Sequence, residues 1–112
     1  MEIREDREQH VTVVTLDGRF DATAAPEAES AFGRVLESGV NHVTLDLSGV
    51  EYISSGGLRV VIMLLKALEK TGGKLALCGL SPFVSEVFEI TNLNQRFTIR
   101  SSRDEALASF EI

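Results

Sequence analysis

Two adjacent serines, Ser54 and Ser55, stand directly before two glycines and a long apolar segment that is predicted to be helical. The first backbone N–H groups of a helix have no partner within that helix, and the helix dipole favours negative charge at this end. A serine hydroxyl here can cap the helix, carry a phosphate group or help to bind an anion. These three roles imply different functions, and the residue types alone leave all three open.

A serine between a strand and a helix is also typical of hydrolases, whose nucleophile lies in the sequence Gly-x-Ser-x-Gly. Around Ser55 the two flanking positions hold Ile53 and Gly57, so the first glycine is missing. Only His10 and His42 could act as the base, and both fall in predicted strands with charged or polar neighbours, where we expect exposure. A small serine hydrolase that uses Ser55 is the enzymatic alternative.

Other sequence patterns with a known chemistry are missing. No phosphate-binding string Gly-x-x-x-x-Gly-Lys-Ser/Thr occurs, and no group of His, Cys and acidic residues has the spacing of metal ligands. Asp46 lacks the paired acidic residues of a phosphoaspartate receiver domain, and the single cysteine, Cys78, lies in an apolar run that predicts a core position. We therefore expect a binding module rather than an enzyme, without a metal or cofactor.

The composition predicts one soluble domain over residues 1–112, since 44% of the residues are hydrophobic. The net charge is −6 and no basic stretch occurs, which disfavours nucleic-acid binding. The N-terminus is too highly charged for a signal peptide. The longest apolar run, residues 58–68, contains Arg59 and Lys66 and is too short to span a membrane. We expect a cytoplasmic protein without membrane insertion.

The pattern of apolar residues, caps and turn residues predicts an α/β fold in the order β-β-α-β-α-β-α-β-α. The predicted strands cover residues 3–8, 10–16, 41–47, 74–78 and 97–100. The predicted helices begin near Thr23 and Pro26, after the serine pair, at Ser81-Pro82 and after Ser102. Strands that are separated by helices should be parallel, whereas the first two can be antiparallel. The result is a small mixed β-sheet with packed helices.

The helix after the serines is apolar over most of its circumference. Its remaining strip consists of Arg59, Met63, Lys66 and Lys70, at spacings of four, three and four residues. The simpler interpretation is a solvated face with one exposed methionine. The alternative is a partner surface, in which Met63 is an adaptable apolar contact between cations.

Two segments resemble a known family. Residues 18–26 read Gly-Arg-Phe-Asp-Ala-Thr-Ala-Ala-Pro, and residues 45–59 read Leu-Asp-Leu-Ser-Gly-Val-Glu-Tyr-Ile-Ser-Ser-Gly-Gly-Leu-Arg. Together they are similar to the STAS domain of the anti-sigma factor antagonist type, and the predicted element order matches that fold. The resemblance implies a bacterial signalling protein that binds an anti-sigma factor, which is also a serine kinase, and so regulates transcription.

The family's turn usually reads Asp-Ser-Ser-Gly-Leu-Gly, and its second serine is phosphorylated by the partner kinase. The unphosphorylated form binds the partner, the phosphorylated form does not, and a phosphatase resets the switch. An ungapped match places Ser54 at the acidic position, Ser55 at the first serine and Gly56 at the phosphorylated one. Phosphorylation at Ser55 or Ser54, a permanently binding-competent protein, and a different partner system are the three alternatives.

The resemblance also implies which residues contact the partner. They are Asp21, Ser54, Ser55, Gly56, Gly57, Arg59, Met63 and Lys66, with Asp46 in a supporting position near the turn. Each has a local explanation as well, since a serine can be a helix cap, two glycines a tight turn, and the acids ordinary turn or strand-end residues. A STAS subunit of a larger signalling or lipid-transport assembly would use the same surface without phosphorylation. The identity of the partner and the oligomeric state stay open.

Overall fold

The computed structural model describes residues 1–110, which form one five-stranded sheet and four α-helices. The strands are β1 (Glu2–Glu8), β2 (Val11–Asp17), β3 (His42–Gly49), β4 (Lys74–Cys78) and β5 (Thr98–Arg100). The helices are α1 (Ala25–Glu37), α2 (Ser55–Lys70), α3 (Pro82–Ile90) and α4 (Arg103–Ala108). The order of elements is the predicted one.

The sheet has the strand order β1-β2-β3-β4-β5. β1 and β2 are antiparallel, and all other neighbouring strands are parallel. A helix lies between each pair of parallel strands, because a parallel connection needs a crossover that a helix can supply. The predicted small mixed α/β fold is confirmed.

The main differences from the predicted elements are at two short connections. The predicted second strand began at His10, but Glu8 pairs directly with Val11, so Gln9 and His10 form the turn between β1 and β2. Gln9 has a φ of 59°, a left-handed conformation that suits a turn better than a strand. A 3-10 helix over Leu93–Gln95, before β5, had no predicted counterpart.

The core lies on both faces of the sheet. On one face of the sheet, α1, α2 and α3 cover every second side chain of β2, β3 and β4, including Val14, Leu45 and Leu77. On the other face α4 packs through Ala106 against Cys78 and Ala76. Because both faces are covered, the polar residues Thr44 and Asp46 of β3 are buried as well. The alternating pattern of the sequence places Thr44 and Asp46 on the face opposite the apolar side chains of β3, but it does not predict that α4 covers this face.

Cys78 occupies the predicted core position and is a free thiol. Burial raises the pKa of the Cys78 thiol to about 12, with the nearby carboxylate of Asp46 adding to that effect. The thiolate is the reactive form of cysteine, so this thiol is unreactive in the folded protein.

Candidate functional site

Ser54 is the N-cap of α2. Its backbone is extended, and its Oγ accepts a hydrogen bond from the backbone N–H of Gly57 at 3.2 Å. The same hydroxyl donates to the carbonyl oxygen of Phe20 at 3.2 Å, and the Ser54 backbone N–H donates to that oxygen at 2.9 Å. The hydroxyl thus satisfies one of the unpaired N–H groups of the helix and joins α2 to the loop before α1.

Ser55 is the first residue of α2, and its side chain is exposed. Among the described residues its hydroxyl makes no hydrogen bond, in contrast to that of Ser54. It lies beside the unpaired N–H groups and the positive end of the helix dipole, where added negative charge is favoured. Of the two serines, Ser55 has the hydroxyl that a second protein can reach.

The two glycines after the serines have different surroundings. A β-carbon on Gly57 would lie 2.8 Å from the carbonyl oxygen of Phe20 and 2.9 Å from its ring, so the backbones approach too closely for any side chain. A β-carbon on Gly56 would make ordinary contacts, at 3.7 Å to Ala22 and to Oγ of Ser54 and at 3.8 Å to Ala25. Gly57 is required by packing, whereas Gly56 has room for a small side chain.

The loop of residues 18–24, which we call the Asp21 loop, packs beside the serines. Phe20 forms an isolated parallel bridge with Ile53, and this bridge holds the loop against the residues that precede α2. The Asp21 carboxylate accepts hydrogen bonds from the backbone N–H groups of Thr23 and Ala24, each at 3.1 Å. Asp21 therefore orders the start of α1, and its remaining oxygen lies 3.8 Å from Nε of Arg19.

An aromatic stack extends this surface beyond the predicted residues. The guanidinium of Arg19 lies 4.2 Å from the centroid of the Tyr52 ring, and that ring stacks on Phe83 with centroids 5.6 Å apart. Phe83, at the start of α3, is 47% exposed. Phe83, Val87 and Ile90 are spaced by four and three residues, so α3 has a second apolar face that was not among the predicted contact residues, although its spacing is visible in the sequence.

The predicted strip on α2 is exposed. Arg59, Met63 and Lys66 all face solvent, and Met63 has 45% of its surface accessible. A groove of about 450 Å³ runs along this strip, which we call the α2 groove. Its lining comprises Ser55, Leu58, Arg59, Ile62, Met63 and Lys66 of α2 with Thr91 and Leu93 from the segment after α3. The structure therefore brings Ser55 and the strip into one surface.

Asp46 is not part of this surface. Its carboxylate accepts hydrogen bonds from the backbone and side chain of Ser48, and Oδ2 lies 3.1 Å from a guanidinium nitrogen of Arg103 in α4. Within residues 1–110, the Asp46 side chain makes no hydrogen bond to residues 54–57, which we call the serine turn. The resemblance implied a supporting role near the turn, but this side chain lies on the α4 face of the sheet, opposite α2.

The candidate bases of the hydrolase alternative lie far from Ser55. His10 is in the turn before β2, and His42 begins β3 and packs against the ring of Phe110 at 5.1 Å. The serine turn follows the opposite end of β3, about 23 Å away at the rise of a β-strand. Neither histidine reaches the Ser55 hydroxyl, so the pair that nucleophilic catalysis needs is not assembled.

Within residues 1–110 no group of three or more His, Cys, Asp or Glu side chains could hold a metal ion. None of the described helices combines the length and the apolar character that crossing a membrane requires.

A family model described as the STAS domain matches residues 2–106 of this chain. BtrV of Bordetella bronchiseptica, described as a proposed anti-sigma factor antagonist, is 36% identical over 111 residues, which cover 99% of this chain and 96% of BtrV. An anti-sigma-B factor antagonist of Staphylococcus aureus is 31% identical over 80 residues, which cover 71% of this chain and 74% of that protein.

The fold is also similar to solved structures. The crystal structure of a proposed anti-sigma factor antagonist of Thermotoga maritima superposes with a TM-score of 0.91 at 27% identity, covering 96% of this chain and 92% of the other. The two chains therefore share one fold, although only about a quarter of their residues are identical.

Proposed function

The chain belongs to the STAS domain family, and we propose that it is an anti-sigma factor antagonist that binds an anti-sigma factor of the serine-kinase type. The proposed contact surface consists of the serine turn, the Asp21 loop and the exposed strip of α2. Its members are Asp21, Ser54, Ser55, Gly56, Gly57, Arg59, Met63 and Lys66. The same partner is proposed to phosphorylate Ser55, and a phosphatase to remove the phosphate.

The observation that carries this proposal is the contrast between the two serine hydroxyls. The Ser54 hydroxyl accepts a hydrogen bond from the Gly57 N–H and donates one to the Phe20 carbonyl oxygen. Its phosphorylation would remove the donor to Phe20 and place a bulky group between α2 and the Asp21 loop. The Ser55 hydroxyl is exposed at the end of the α2 groove, where a kinase can reach it without local unfolding.

A phosphate on Ser55 would change the charge of the contact surface. It carries a charge of about −1.5 to −2 at neutral pH, and Arg59 lies one helical turn further along α2, the spacing at which side chains on a helix are neighbours. The phosphate and the helix N-terminus attract each other, so the modified state is compatible with the fold. The unmodified surface binds the partner, and the modified one presents an anion instead.

In this proposal the protein acts in the cytoplasm by binding, and catalysis belongs to the partner. The separation of Ser55 from both histidines supports this assignment over the hydrolase alternative. An isolated preparation should therefore show no ester hydrolysis that depends on Ser55.

The test is reconstitution with the natural partner. The tagged protein is isolated from its native cells after crosslinking, and the co-purifying anti-sigma factor is identified by mass spectrometry and then produced separately. Calorimetry gives the dissociation constant of the purified pair without ATP. With ATP, mapping of the modified peptide is expected to find one phosphate, on Ser55, with loss of binding.

Ser55→Ala and Ser54→Ala are the matched variants for this experiment. Ser55→Ala should bind the partner and stay unmodified after ATP is added, whereas Ser54→Ala should still be phosphorylated. Phosphate on Ser54 would contradict the assignment to Ser55, and binding without any phosphate would favour the permanently binding-competent protein. If no anti-sigma factor binds, the proposed function is wrong.

A further inference from the structure

The α2 groove has an apolar floor within a charged rim. Leu58, Ile62, Met63 and Leu93 line it. Leu58 and Ile62 of α2 and Leu93 of the 3-10 helix before β5 are half-buried against the core, whereas Met63 is exposed. Its volume of about 450 Å³ is in the range of sites that hold small ligands or a few side chains of a partner.

The charge of the groove is opposite to that of the whole chain. Acidic residues outnumber basic ones by 17 to 11, yet none of the eight described residues that line the groove is acidic. Arg59 and Lys66 both line it and both are exposed. Within residues 1–110, neither of them has a carboxylate within ion-pair distance, unlike Arg19, Arg96 and Arg103. Two cations without partners beside an apolar floor favour a ligand with the complementary pattern.

We propose that the α2 groove takes an apolar side chain of the anti-sigma factor that is flanked by carboxylates. The apolar side chain packs on Met63 and Ile62, and the carboxylates lie at Arg59 and Lys66. Met63 suits such a site because its flexible thioether adapts to the shape of the incoming group. This inference rests on the proposed function for its occupant, and it adds the chemistry by which that occupant is recognised.

The position of Ser55 at the end of the same groove connects this chemistry with regulation. A phosphate there would neutralise Arg59 and repel the carboxylates of the partner. Electrostatic complementarity mainly sets association rate and specificity, so we expect modification of Ser55 to act first on the rate of association.

The first test uses a defined probe instead of the partner. The probe is a ten-residue capped peptide with two central leucines flanked by glutamates, and the control peptide has glutamines in their place. Titration into the ¹⁵N-labelled protein should shift backbone amides of residues 55–66 and 91–93. The glutamine peptide, or salt raised from about 50 to about 500 mM, should weaken binding about tenfold.

Charge-reversal variants complete the test. Arg59→Glu with Lys66→Glu should lower the affinity for the glutamate peptide at least about tenfold. Arg7→Glu with Lys74→Glu, which changes the net charge equally at exposed sites outside the groove, should leave it unchanged. Equal binding to both double variants, shifts elsewhere on the surface, or no shifts at millimolar peptide would each overturn the inference.

The reconstituted anti-sigma factor separates the two proposals. If it binds the parent protein and binds the Arg59→Glu, Lys66→Glu variant equally well, the groove inference is wrong and the proposed function stands. If it does not bind the parent protein while the peptide titration gives the expected shifts, the proposed function is wrong and the groove chemistry stands.

Discussion

At the residue scale, Ser54 and Ser55 differ in what their hydroxyl groups contact, although they are neighbours in the sequence. Ser54 caps α2 and bonds to the Asp21 loop, and Ser55 faces solvent. The sequence predicts that either hydroxyl can cap the helix or carry a phosphate group. The local sequence suits either serine as the cap, and the additional hydrogen bond of Ser54 to Phe20 joins residues that are 34 positions apart.

The first prediction concerns the stability of the two serine variants. Ser54→Ala should lower the free energy of unfolding by about 1 kcal/mol or somewhat more, since a cap and a hydrogen bond to Phe20 are lost together. Ser55→Ala should change it by less than about 0.5 kcal/mol because the side chain is exposed. Urea unfolding at neutral pH measures both. A larger loss in Ser55→Ala than in Ser54→Ala would contradict the assigned cap.

The second prediction uses the two glycines as a matched pair. Gly57→Ala should destabilise the protein by about 1–3 kcal/mol, because its β-carbon would overlap the Phe20 carbonyl and force the Asp21 loop away from α2. Gly56→Ala should be neutral or stabilise by at most about 1 kcal/mol, since the β-carbon meets only ordinary contacts and alanine favours the helix. Thermal unfolding of the two variants decides the matter, and equal melting temperatures would refute the close approach at Gly57.

At the scale of elements, α2 has one face that packs in the core and another that is exposed and available for binding. Leu65 is 6% exposed and packs in the main core, whereas Met63, two residues earlier, is 45% exposed in the α2 groove. The 3.6-residue period of the helix predicts this division from the sequence alone. The period identifies an exposed strip, but it does not show that Thr91 and Leu93 complete a groove.

The third prediction follows from that division. Met63→Asp should abolish binding of the anti-sigma factor and leave the unfolding transition almost unchanged, because an aspartate at this position stays in water. Leu65→Asp should unfold the domain, since a charge would be buried without a partner. Circular dichroism establishes which variant is folded, and calorimetry then measures binding. Unaltered binding by a folded Met63→Asp protein would exclude the helix strip from the interface.

Helix caps and terminating glycines predicted the secondary-structure elements well, because they act between residues that are close in the sequence. Ser81 and Ser102 cap α3 and α4 by accepting from the N–H three residues later, and Gly39 and Gly72 have positive φ where α1 and α2 end. Such interactions are complete within a few residues. The exposed apolar face of α3 and the groove beside Leu93 depend on which elements become neighbours, and a local pattern does not contain that information.

At the scale of the whole molecule, Arg103 connects the two ends of the chain. Its guanidinium donates to Glu8 in β1 at 3.1 Å, to Thr15 in β2 at 3.0 Å and to Asp46 in β3 at 3.1 Å. The sequence separations are 95, 88 and 57 residues, so the network joins parts of the chain that are far apart in the sequence. It fixes α4 over the second face of the sheet, away from the proposed binding surface.

The network makes stability depend on pH through Asp46. Burial alone would raise the pKa of this carboxyl, but hydrogen bonds from Ser48 and Arg103 outweigh burial and hold the pKa below its ordinary value of 3.8. The lowered pKa therefore stabilises the folded state, and this contribution is fully present at pH values above the ordinary pKa of 3.8. As the pH falls below it, the unfolded chain takes up the proton first, and the contribution is lost as the pH passes through the folded-state pKa.

The fourth prediction is that Asp46→Asn weakens this dependence. The variant should be less stable than the parent at pH 7, because Arg103 loses its charged partner, and the difference should shrink as the pH falls below about 4. Glu29→Gln is the control, since this exposed carboxylate of α1 makes no ion pair or hydrogen bond within residues 1–110. Urea unfolding between pH 2.5 and pH 7 gives the three profiles. Parallel profiles for the parent and Asp46→Asn would show that the carboxylate does not couple the fold to pH.

Partner binding at pH 7 should survive in a folded Asp46→Asn protein, because the network and the α2 groove lie on opposite faces of the sheet.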